Sequence, residues 1–71
     1  MDLSVVIPLY NESESLNELN KSIIGSLNEK NLDFEIIYID DGSTDNSWSI
    51  INDLSKKKNI HGLKFQKNYG K

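Results

Sequence analysis

The apolar residues of this chain fall into short blocks with two different spacings. Three runs rich in large and β-branched residues predict strands, at residues 3–7 (LSVVI, closed by Pro8), 34–39 (FEIIYI) and 60–65 (IHGLKF). Between these runs, apolar residues recur at three- and four-residue steps, which is the spacing of one face of a helix. The pattern therefore predicts five elements in the order β-α-β-α-β.

The first predicted helix runs to about Glu29. Its apolar face consists of Leu16, Leu19, Ile23 and Leu27. Two capping boxes could start it, Ser15 with Glu18 or Asn11 with Glu14.

The second predicted helix has an apolar face made of Trp48, Ile51 and Leu54. Asp45 or Thr44 is expected to cap its start. Its end is predicted at the three lysines of residues 56–58, which would complement the negative end of the helix dipole. These lysines are interpreted as a solvated helix end, with an anionic lipid surface as the alternative contact.

The alternation of strands and helices predicts an α/β fold with a parallel sheet and right-handed crossovers. It corresponds to one mononucleotide-binding half of a doubly wound, Rossmann-like domain. Such sheets bind ligands beyond the carboxyl ends of their strands. Three loops are expected at that edge, at residues 8–13, 40–45 and 66–71.

Composition restricts the class of protein further. The 71 residues allow one small domain with a marginal core. The net charge of -3 and the 27% of charged residues are ordinary for a soluble protein and argue against nucleic-acid binding by charge alone. The absence of cysteine excludes disulfides and thiolate metal sites. No apolar stretch approaches the ~20 residues of a membrane span, and no secretory signal begins the chain.

The first loop, PLYNES, contains no glycine and therefore matches neither a dinucleotide fingerprint nor a Walker loop. It offers Tyr10, which could stack on a nucleobase or pack at the strand end. It also offers Asn11 and Glu12. Glu12 is interpreted as a solvated acid of the first helical turn, with a ligand contact as the alternative.

The second loop, DDGSTD, offers carboxylates. Asp40 and Asp41 could form a polar turn completed by Gly42 at positive φ, or could accept hydrogen bonds from a base imino N–H or a ribose hydroxyl. Asp45 is interpreted as a helix cap. Three further residues are assigned structural roles. Tyr38 and Trp48 are predicted to lie in the core, and His61 is interpreted as a structural residue and not as a metal ligand.

Two motifs together resemble the N-terminus of family 2 glycosyltransferases, which have the GT-A fold. They are SVVIPLYNE at residues 4–12 and IDDGSTD at residues 39–45, and their spacing is also similar. The ending QKNYGK, residues 66–71, resembles the polyprenyl-phosphate sugar transferases, a branch that includes dolichyl-phosphate mannose synthases and bacterial undecaprenyl-phosphate glycosyltransferases of cell-envelope glycan synthesis. Lys67 stands where that branch often has arginine, and a lysine loses bidentate phosphate contacts.

The resemblance implies an inverting enzyme that transfers a sugar from a UDP- or GDP-sugar to an acceptor such as a polyprenyl phosphate. Asp41 would accept the imino hydrogen of the base, Tyr10 would lie against the base, and Asp40 would support the loop. The remaining residues implied to lie in the nucleotide site are Pro8, Glu12, Gly70 and Lys71.

The resemblance also implies that residues 1–71 are an incomplete, N-terminal nucleotide-binding portion of the domain, inactive alone. Its divalent metal, Mg or Mn, would be held by ligands outside this chain, and no catalytic residue is assigned within it. The expected location is cytoplasmic, with the cytoplasmic membrane face as the site of the full-length enzyme. Exposed sheet edges and apolar surface predict self-association of the fragment. The rival interpretation is a non-catalytic flavodoxin-like interaction module or receiver domain.

Overall fold

The computed structural model of the protein describes residues 2–65 and contains the five predicted elements in the predicted order. The three strands form one parallel sheet in the spatial order β1-β2-β3. The element bounds are β1 Leu3–Leu9, α1 Ser13–Glu29, β2 Phe34–Asp40, α2 Ser47–Leu54 and β3 Ile60–Lys64. The α/β prediction is confirmed.

Strand β1 continues two residues beyond its predicted end and includes Pro8, which pairs with Ile39 of β2. Among the described residues, β1 is an edge strand, where the missing N–H of proline removes no necessary ladder bond. The prediction that Pro8 closes the strand was therefore wrong. The extension brings Leu9 into register with Asp40, so β1 and β2 end side by side.

Both helices pack on the same face of the sheet, which we call the covered face. Tyr38 points toward α1, and its hydroxyl donates to Asn20 Oδ1 at 2.7 Å. Gly62 pairs with Tyr38 in the register and lies against α2. A Cβ at Gly62 would stand 2.5 Å from the Ile51 side chain, so the close approach of α2 requires glycine there.

The core between the helices and the covered face is small and apolar. Its fully or nearly fully buried residues are Leu9, Leu16, Leu27, Phe34, Ile36, Tyr38, Ile51 and Ile60. The predicted apolar face of α1 needs one correction. Leu19 is 39% exposed, while the neighbouring Asn20 is buried because it accepts the Tyr38 hydroxyl. Trp48 is only half-buried, at the edge of this core.

The predicted helix ends also need correction. Helix α1 begins at Ser13 after its N-cap residue Glu12, whose own side chain makes no capping bond, so neither predicted capping box forms. Helix α2 follows Asn46, again without a capping side chain on that residue. It ends at Leu54 with Ser55 as its C-cap, so the three lysines follow the last turn and are not part of it.

The opposite face of the sheet, which we call the open face, carries no helix among the described residues. Three of its apolar residues are well exposed, Val6 at 55%, Leu63 at 49% and Phe65 at 54%, while Ile37 and Ile39 are half-buried. At its far end, Glu35 accepts the Ser4 hydroxyl at 2.7 Å and lies 3.3 Å from the imidazole of His61. No helix within residues 2–65 has the length and apolar character needed to cross a membrane.

Candidate functional site

The loops after β1 and β2 meet at the carboxyl edge of the sheet. They are joined by Asn11, which adopts a left-handed backbone with φ of 52°. Its backbone N–H donates to Ser43 Oγ at 2.8 Å. Its side-chain Oδ1 accepts the backbone N–H groups of Thr44 at 2.8 Å and Asp45 at 3.2 Å, and its Nδ2 donates to Thr44 Oγ1 at 3.3 Å. We call this set of bonds the Asn11 clasp.

A second set of bonds joins the starts of the two helices. The backbone N–H of Glu12 donates to Ser47 Oγ at 2.9 Å. The Asp45 carboxylate accepts two backbone N–H groups, that of Ser47 at 2.9 Å and that of Ser13 at 3.2 Å. Asp45 thus binds the first N–H of each helix, although it is not itself the N-cap of α2.

These donors act on the ionisation of Asp45. The Ser47 hydroxyl has the largest influence on its pKa, desolvation opposes it, and the Ser47 backbone N–H, the Ser13 hydroxyl and the Ser13 backbone N–H add to the lowering. Together they lower the pKa of the Asp45 carboxyl from its ordinary 3.8 to about 2, because each bond favours the charged form. Asp45 is therefore a carboxylate at neutral pH and serves the geometry of the loops.

Asp40 is the last residue of β2 and is completely buried. Its Oδ1 accepts the backbone N–H of Ser43 at 2.8 Å, a side-chain bond that orders a turn. Gly42 has φ of 83°, as the turn interpretation predicted. The backbone carbonyl of Asp40 accepts the N–H of Phe65 at 2.9 Å, while Oδ2 has no partner among the described residues. Asp40 therefore orders the second loop through its buried side chain.

Tyr10 and Asp41 occupy the outer surface of this edge. They directly follow Leu9 and Asp40, which are register partners on adjacent strands. The backbone N–H of Asp41 donates to the Leu9 carbonyl at 2.9 Å, which extends the pairing one step beyond the ladder. Adjacent strands lie about 4.8 Å apart, so the two residues leave the sheet as close neighbours. Both side chains are exposed.

The other predicted site residues do not all lie beside Tyr10 and Asp41. Pro8 is exposed on the open face of β1, and Glu12 is exposed at the start of α1. Glu12 lines a pocket of about 360 Å³ together with Asn11, Ser13, Glu14, Ser15 and Asp45. This pocket is acidic and is lined by neither Tyr10 nor Asp41. Gly70, Lys71 and Lys67 lie outside the described residues.

A metal site is not formed by the part of the chain that the structure describes. Within residues 2–65, no three histidine, aspartate or glutamate side chains come together in a way that could hold an ion. We therefore assign no residue of this region to a metal.

Sequence reasoning did not identify the joining role of Asn11, Ser43 and Ser47. From the sequence, Asn11 is a polar group offered to a ligand or part of a capping box. Asparagine tolerates the left-handed region better than most residues, and both loops are rich in side chains that bond to backbone. Those signals could have indicated a clasp, although not its partners.

The fold and this edge define the class of protein: a Rossmann-like α/β domain whose polar loops gather at the carboxyl ends of a parallel sheet. The family model for glycosyl transferase family 2 matches residues 4–71, which is nearly the whole chain. The protein belongs to glycosyltransferase family 2.

Proposed function

We propose that this chain forms the part of an inverting glycosyltransferase that binds the nucleotide of a UDP- or GDP-sugar. The observation that carries the proposal is the pairing of Leu9 with Asp40, because it makes Tyr10 and Asp41 neighbours at the ligand-binding edge of the sheet. Family membership supports the wider reaction class, sugar transfer.

The proposed contacts follow from the chemistry of the two side chains. The exposed Tyr10 ring stacks on the base, since every base offers a π-face. The Asp41 carboxylate accepts the imino N–H that uracil carries at N3 and guanine at N1. Adenine and cytosine lack this hydrogen in their neutral forms. A site built to pair that N–H therefore discriminates against ADP and CDP.

The nucleotide proposal is tested by NMR titration of the chain with UDP, GDP, ADP and CDP. We expect shifts at Tyr10 and Asp41 with UDP or GDP, and much weaker effects with ADP and CDP. Tyr10→Ala should weaken binding by about 1–3 kcal/mol, the value of one base stack. Asp41→Asn should weaken it as well, whereas Asp53→Asn, a change of the same type on an exposed part of α2, should not.

A folded sample that shows no response to millimolar UDP or GDP would overturn the nucleotide proposal. Equal responses to all four nucleotides would retain the binding site but remove the role of Asp41 in reading the base.

The acceptor we propose is a polyprenyl phosphate at the cytoplasmic face of a membrane. This part of the proposal is supported by the resemblance of residues 66–71 to that branch of the family. It is tested by supplying a labelled UDP- or GDP-sugar and a short polyprenyl phosphate to the enzyme that contains this sequence. Label should move into the organic phase, and transfer only to a water-soluble acceptor would exclude the lipid.

A further inference from the structure

The Asn11 clasp lies between the two residues of the proposed nucleotide site. Asn11 directly follows Tyr10, and its partner Ser43 comes two residues after Asp41. Its bonds cross from the first loop to the second over sequence separations of 32 to 34 residues.

The clasp satisfies groups that would otherwise need water. The N–H groups of Thr44 and Asp45 both point at Asn11 Oδ1. Each bond fixes the second loop relative to the first, and the left-handed φ of Asn11 turns the chain between Tyr10 and α1. The separation of Tyr10 from Asp41 is therefore set on one side by the strand pairing and on the other by Asn11.

We infer that Asn11 is a positioning residue that holds Tyr10 and Asp41 at the separation required for a nucleotide base. The inference rests on the proposed function. Asn11 itself has no contact with the base in this scheme and acts through the backbone of the second loop. Its loss lowers the fraction of molecules whose loops are arranged for binding, and apparent affinity falls in proportion to that fraction.

Two substitutions separate the parts played by the side chain. Asn11→Gly keeps the left-handed backbone available but removes the amide. Asn11→Asp keeps the Oδ1 acceptor for the Thr44 and Asp45 N–H groups and tolerates the same φ, but replaces the Nδ2 donor with a second oxygen. Asn11→Asp should therefore rescue much of what Asn11→Gly loses.

The chain offers a matched control at Asn31. This residue also has a left-handed backbone, with φ of 56°, and lies between α1 and β2 at the opposite edge of the sheet. Asn31→Gly makes the same chemical change in the same backbone conformation, far from the loops. A general effect of asparagine-to-glycine replacement on stability would appear in both variants.

The experiment measures UDP and GDP affinity of all three variants at a temperature where circular dichroism shows each one fully folded. We expect Asn11→Gly to bind about tenfold more weakly, as when the competent fraction falls to a tenth. Asn11→Asp should lie between Asn11→Gly and the parent chain, and Asn31→Gly should match the parent. A folded Asn11→Gly with parental affinity, or an equal loss in Asn31→Gly, would overturn the inference.

Hydrogen exchange at the amides of Thr44 and Asp45 gives a readout that needs no nucleotide. Protection should fall in Asn11→Gly, recover in Asn11→Asp and stay unchanged in Asn31→Gly. If the parent chain binds neither UDP nor GDP, the proposed function fails and the binding role of Asn11 fails with it. The exchange rates would still decide whether the clasp holds the loops, and unchanged protection in Asn11→Gly would refute that as well.

Discussion

The two faces of the sheet are made by the same three strands but differ in what lies on them. On the covered face, Ile36 and Tyr38 are fully buried beneath α1 and α2. On the open face, Val6, Leu63 and Phe65 are each about half exposed. Ile36 and its neighbour Ile37 show the contrast within one strand, because successive side chains point to opposite faces.

The contrast teaches that alternation decides where a side chain points, while neighbouring elements decide whether it is buried. The run FEIIYI in β2 is apolar at nearly every position, which is typical of strands covered on both faces. The described residues supply a cover for one face only. The open face is therefore apolar surface suited to a second packing layer.

The largest expected effect is the difference between truncating Ile36 and truncating Ile37. Ile36→Ala should lower the free energy of unfolding by about 2–5 kcal/mol, because it leaves a cavity in a closed core. Ile37→Ala, on the half-buried open face, should cost less than about 2 kcal/mol, since its site is already in contact with solvent. Urea unfolding followed by circular dichroism measures both. Equal costs would mean that the two faces are equally covered in solution.

The open face should also drive self-association, and a second copy of the chain is the occupant we predict for it. A half-exposed patch containing Leu63 and Phe65 removes apolar area from water when two copies meet. The Glu35 carboxylate lies at the end of this patch, where it contacts the imidazole of His61. A partner copy therefore meets a carboxylate that already has a polar neighbour. Analytical ultracentrifugation over a range of concentrations should show dimers or larger species.

The double change Leu63→Thr and Phe65→Ser should shift that equilibrium toward monomer. Leu19→Ser is the control, because Leu19 is 39% exposed but lies on α1. A parent chain that stays monomeric at high concentration would contradict the prediction of self-association. An equal shift in the control would place the contact elsewhere.

The order and type of the elements could be predicted because they depend on local periodicity, which the sequence displays directly. The burial of Asn20 could not be predicted, because the apolar pattern of α1 favours burial of Leu19. Asn20 is buried because it accepts a hydroxyl on β2, 18 residues away. Pro8 gave a similar error. Proline usually ends a strand, and only the sheet order makes β1 an edge strand that tolerates it.

The same distinction applies to the candidate site. Topology alone put Tyr10 and Asp41 at the carboxyl edge, because that edge is common to all strands of a parallel sheet. The Asn11 clasp could not be predicted in this way, because it depends on the direction of the Thr44 and Asp45 backbone N–H groups. Such contacts join loops distant in sequence, so no local pattern carries them. The proposed ligand-binding roles of Pro8, Glu12, Asp40, Gly70 and Lys71 stay predictions.

The smallest expected effect on stability concerns Asp45. This residue lies in the second loop, at the carboxyl edge of the sheet where the two faces meet, and is exposed to solvent. Its folded pKa of about 2 is below the ordinary value of 3.8, so the carboxylate stabilises the native state above that ordinary value. This contribution should be lost as the pH falls from about 4 to about 2.

Asp45→Asn removes the charge and one of the two acceptors. Thermal midpoints of the parent and this variant should therefore differ above pH 5 and converge toward pH 2. The substitution Asp53→Asn controls for the loss of one negative charge on an exposed residue. A difference between parent and Asp45→Asn that is constant with pH, or that grows as the pH falls, would show that the carboxylate does not hold the helix starts together.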